Sequence, residues 1–80
     1  MSSPPNWAQG TFYSMNGTNI TLSLSSNGQV TATVNGQTYY GTYYNGAITL
    51  NGDVSTVTRN GNGIRTYNAS NGQTTNYRKQ

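Results

Sequence analysis

Five side chains carry all the charge in this sequence: Asp53, Arg59, Arg65, Arg78 and Lys79. Histidine and cysteine are both absent. General acid–base catalysis usually draws on a group that titrates near neutral pH, most often a histidine or a tuned carboxylate. Most glycosidases need two carboxyls, and Asp53 is one. A nucleophilic serine needs a base beside it, and the sole lysine is the penultimate residue. Zinc lacks its nitrogen and sulfur ligands, and a tight calcium site wants several carboxylates. The expectation is a protein that is not an enzyme, with no cofactor and no metal site.

What remains is recognition chemistry. Arg59, Arg65, Arg78 and Lys79 fall in the last quarter or so of the chain, interleaved with Tyr67 and Tyr77. Cations beside stacking rings are what a single-strand nucleic-acid binder uses. Arg59, Arg65, Tyr67, Tyr77 and Arg78 are therefore the candidate residues for that reading. Against it, four cations make a small footprint, and charges on a sheet edge also deter aggregation. A second set is Trp7, Tyr13, Tyr40 and Tyr44, set among asparagine and threonine. Rings stack on the apolar face of a sugar, and amides bond its hydroxyls. The same inventory serves protein contacts. For Trp7, plugging one end of a barrel is the simpler account. Asp53 follows Asn51-Gly52, where turn chemistry accounts for it; otherwise it is a polar anchor in a ligand site.

The elements that must position these groups are legible in the composition. Thirteen Thr, twelve Asn, eight Ser and seven Tyr dominate the chain, and Glu is absent. Threonine and tyrosine favour strands, asparagine and glycine favour turns, and good helix formers are nearly missing. Eight of the ten glycines follow an asparagine. Asn-Gly is the strongest short hairpin signal, because a type I′ turn needs positive φ at both central residues. Between the pairs, apolar residues alternate with hydroxyls: Ile20, Leu22 and Leu24, then Val30, Ala32 and Val34, then Ile48 and Leu50. Period 2 marks a half-buried strand. The spacing of three between Val54 and Val57 points to a bulge or a bend. The doubled signal Asn60-Gly61-Asn62-Gly63 points to one wider loop.

Strands are placed near 8–14, 18–25, 29–34, 37–44, 47–51, 54–59, 63–68 and 73–78. Pro4 and Pro5 hold residues 1–6 as an extended N-terminal tail outside the sheet, and residues 7–80 form a single β domain. The expected fold is all-β: an antiparallel meander of seven or eight short strands, closing as a small β-barrel or barrel-like sandwich. Gly10-Thr11-Phe12-Tyr13 with its following Asn-Gly and Ile-Thr-Leu is echoed by Gly41-Thr42-Tyr43-Tyr44 and its sequel. A duplicated three-strand unit would place Phe12 and Tyr43 about a pseudo-twofold axis. Gly41-Thr42-Tyr43-Tyr44-Asn45 also resembles the Gly-Thr-Trp-Tyr-Asn first strand of avidin-like barrels, with Tyr43 in place of Trp. In that family the strand carries ligand-contacting polar residues; the likeness covers five residues, and no site is carried over.

Charged residues are a small fraction, and the polar mass is neutral, a composition common on secreted and cell-surface proteins. No apolar run approaches the roughly 18 residues of a membrane span. The leading expectation is a non-catalytic binding or interaction module, extracytoplasmic, recognising a carbohydrate, cell-surface polymer or protein. The alternatives are a small nucleic-acid-binding barrel and a structural or self-assembling β protein.

Overall fold

The computed structural model describes residues 3–15 and 19–80. Eight strands follow one another around a closed antiparallel barrel. They are β1 (Gly10–Ser14), β2 (Ile20–Leu24), β3 (Gln29–Val34), β4 (Gln37–Tyr44), β5 (Ala47–Leu50), β6 (Asp53–Asn60), β7 (Gly63–Asn68) and β8 (Gln73–Lys79). Each strand pairs with the next, and β1 closes on β8 through Tyr13 opposite Arg78 and Ser14 opposite Tyr77. Closure decides between barrel and sandwich. No helix among the described residues is long and apolar enough to cross a membrane.

Local chemistry sets the turns. Asn35-Gly36, Asn45-Gly46 and Asn51-Gly52 each place both residues at positive φ, as a type I′ hairpin requires. The doubled signal at 60–63 behaves differently from its reading as a wide loop. Asn60 pairs directly with Gly63, leaving Gly61 and Asn62 as a two-residue turn. Only the glycine of that turn has positive φ, at 61°. Glycine first is the type II′ pattern, so a second Asn-Gly pair adds no length. The Asn16-Gly17 signal, and residue 18 at the start of an expected strand, lie outside the described residues.

The expected bulge at Val54–Val57 is also corrected. β6 keeps one-to-one register with β5 and with β7 throughout. Val57 points inward and is buried, whereas Val54 points outward and is 55% exposed. The spacing of three therefore reflects one valine on each face.

The core is the barrel interior. Phe12, Leu22, Leu24, Val30 and Ile64 are fully buried, joined by Ala32, Tyr43, Ile48, Val57 and Tyr77. One end carries the 25–28, 45–46 and 61–62 turns. There a single turn of 3₁₀ helix, Asn6–Ala8, packs against β6 and β7. Ala8 is fully buried, Trp7 lies against the core cluster, and Pro4 is buried as well. The Gln9 side chain donates to the Pro4 carbonyl at 2.8 Å, tying the segment down. From Pro4 onward the N-terminal residues thus close one end of the barrel instead of trailing from it.

Phe12 and Tyr43 both point inward and are buried. The expected pseudo-twofold is nevertheless absent. β1 and β4 lie three strands apart and run in opposite directions. A rotation about the barrel axis preserves strand direction, and a perpendicular twofold reverses strand order. Neither maps β1–β3 onto β4–β6.

Candidate functional site

The end opposite the 3₁₀ turn carries the 35–36, 51–52 and 69–72 turns, and among the described residues nothing covers it. A cavity of about 260 Å³ opens there into the barrel. Eight strands give an interior that side chains can just fill, or that holds one small ligand. Small inward residues, Ala32 and Ser55, leave the space.

The lining is divided. Ile20, Leu22, Val34, Ile48 and Leu50 supply an apolar wall from β2 to β5. Ser55, Thr66, Asn68 and Tyr77 supply a polar wall from β6 to β8. Next to it, Gln73 and Thr75 line a continuation of about 160 Å³. The strand registers explain the division. Alternation puts Ser55, Val57, Ile64, Thr66, Asn68, Gln73, Thr75 and Tyr77 on the inner face, and toward this end those positions are hydroxyls and amides.

The polar wall is held in place. Thr66 and Thr75 are buried, and the Tyr77 hydroxyl is hydrogen-bonded to the Thr66 side chain. Burial pushes the Tyr77 phenol up from its ordinary value, partly offset by that bond. The Asn68 side-chain oxygen accepts from the Ser70 backbone N–H at 3.0 Å and from its hydroxyl at 2.7 Å, which fixes Asn68 at the rim. The Tyr39 hydroxyl donates to Gln37 Oε1 at 2.8 Å beside the apolar wall. No buried side-chain nitrogen or oxygen among the described residues lacks a partner. Asp53 pairs with Leu50 across the β5–β6 hairpin and lines the mouth.

The residues singled out in the sequence distribute differently. Tyr40 and Tyr44 stand outward on β4, 68% and 70% exposed. They are four residues apart, about 13 Å along a strand. Tyr13 is outward on β1, separated from β4 by two strands. Trp7 packs at the plugged end. These four residues form no single platform. In the basic set, Arg65 and Tyr67 project from the outer face of β7, with Arg78 outward on β8. Arg65 Nε donates to Asn76 Oδ1 at 2.8 Å, and Asn60 Nδ2 donates to the same oxygen at 3.1 Å. Arg59 donates to the Gly61 carbonyl at the plugged-end turn. Tyr77 does not join this set. It points into the barrel and is 6% exposed, because it alternates with outward Arg78 and Asn76. Lys79 lies over the Phe12 ring, 5.9 Å from its centroid.

Sequence reasoning missed Ser55, Thr66, Asn68 and Tyr39 as site residues. The available signal was the interrupted alternation of apolar residues in 63–68 and 73–78, whose inner positions turn polar at one end. Among the described residues no group of three acidic, histidine or cysteine side chains gathers to hold a metal. No family model, no curated protein and no solved structure matches the chain, so its own geometry carries the functional reading.

Proposed function

We propose that the protein is a non-catalytic binding module, working outside the cytoplasm, that takes a small hydroxyl-bearing ligand into the open end of its barrel. The ligand class favoured is a carbohydrate unit, free or at the end of a cell-surface polymer. The observation that carries this is the divided cavity: an apolar wall for a sugar's C–H face and a wall of hydroxyls and amides for its edge. Ligand pockets are typically apolar with a few placed polar groups, and start near 300 Å³, so this one suits a single ring. A neutral polar surface and the lack of paired catalytic groups support the same reading.

The test is saturation-transfer NMR with a panel of monosaccharides against the wild type and Ser55→Leu. Ser55 is half-buried and faces the cavity. Weak, millimolar binding by the wild type and its loss in the folded variant support the proposal. Binding that survives Ser55→Leu unchanged refutes it.

A further inference from the structure

We infer that Asp53 is a cation anchor at the mouth of the cavity, so that the preferred ligand is a hydroxylated molecule bearing a protonated amine, an amino sugar rather than its neutral counterpart. This rests on the reading of the open end as the binding site. Asp53 is the only carboxylate side chain of the chain, in a protein of net charge +3. The fold places it among the residues at the mouth of the cavity. It pairs with Leu50 across the hairpin, two residues before inward Ser55 on the same strand, and lines the cavity.

The placement of the cations sharpens this. Arg59 is engaged by the Gly61 carbonyl at the plugged end, and Lys79 lies over Phe12. Arg65 is held by Asn76 on the outer face, and Arg78 stands opposite Tyr13 on that face. None of the four lines the cavity. Among the described residues lining the cavity, Asp53 is therefore the one charged side chain. A ligand ammonium seated there meets a carboxylate, while its hydroxyls reach the Ser55, Thr66 and Asn68 wall.

The experiment compares glucosamine with glucose by amide chemical-shift titration, at low and at high ionic strength, on wild type and Asp53→Asn. Asp53 is exposed, so the variant removes charge without opening the core. Glucosamine is expected to bind about two- to fivefold more tightly than glucose at low salt, the range of an exposed ion pair. That advantage should vanish in Asp53→Asn and, with no variant needed, at high salt, where the pair is screened. Glucose binding should be indifferent to both. Equal binding of the two sugars by the wild type, or an advantage retained in Asp53→Asn, overturns the role of Asp53 and leaves the cavity reading standing. Failure of both sugars to move any cavity amide overturns the two together.

Discussion

Gly41 and Gly36 show how differently one residue type is used. Gly41 sits inside β4, where an added methyl would collide with the Thr49 carbonyl of β5. Gly36 meets nothing within 4 Å, but its φ is 86°. Gly41→Ala should therefore destabilise by about 2 kcal/mol or more through overpacking. Gly36→Ala should cost about 1 kcal/mol through backbone strain alone. Thermal melts check the ranking: the Gly41 variant should drop by on the order of 10 °C and the Gly36 variant by about half that. Equal losses would contradict the close approach of β4 and β5.

Tyr77 supplies a pH test at the same scale. Its phenol is raised in the folded state by burial. The fold thus holds the proton more tightly than the unfolded chain does. The associated stability is fully present below the unfolded value of about 10 and is lost as pH rises through the raised folded value. Urea midpoints should be level below that range and fall above it. Tyr77→Phe should flatten that fall relative to the wild type; an unchanged slope would place the alkaline loss elsewhere.

At the scale of elements, most of the structure was legible. The seven strands whose bounds can be compared in full lie within two residues of their sequence-based placement, because Asn-Gly turns and period-2 hydroxyl alternation agree with each other. Two local misreadings had one cause. Val54 reads as a core residue by type, yet it is an exposed valine on the outer face. Asn60-Gly61-Asn62-Gly63 reads as two turn signals, yet strand pairing uses Asn60 and Gly63 and leaves only two residues to turn. In both cases the pairing register, not residue type, decided. The cavity was less legible for the same reason. Which faces of β7 and β8 point inward follows only once the ring is closed through β1. Trp7 provides an element-scale prediction. It packs on the core cluster with the 3₁₀ turn at the plugged end. A ligand in the open end should leave its emission unchanged. A shift in Trp7 fluorescence on binding would move the site to the wrong end of the barrel.

For the whole molecule, closure is the governing fact. Among the described residues the closed barrel leaves no strand without a neighbour on each side, and an unpaired edge is what templates strand-to-strand association. Sedimentation at high concentration should give a monomer; a concentration-dependent shift to larger species would favour a self-assembling role. Closure also sorts the surface. It sends Tyr40 and Tyr44 outward on β4, Arg65 and Tyr67 outward on β7, and Arg78 and Tyr13 outward as a pair across β8 and β1, and it gathers the inner-face hydroxyls and amides of β6 to β8 at the open end. Binding outside and binding inside therefore predict different residues. An amide chemical-shift map of the isotope-labelled protein with added monosaccharide tests this most directly. The account predicts movements confined to the cavity, at Ile20, Val34, Ser55, Thr66 and Asn68. Movements clustered at Tyr13, Tyr40, Tyr44 or Arg78, with the cavity silent, would contradict it.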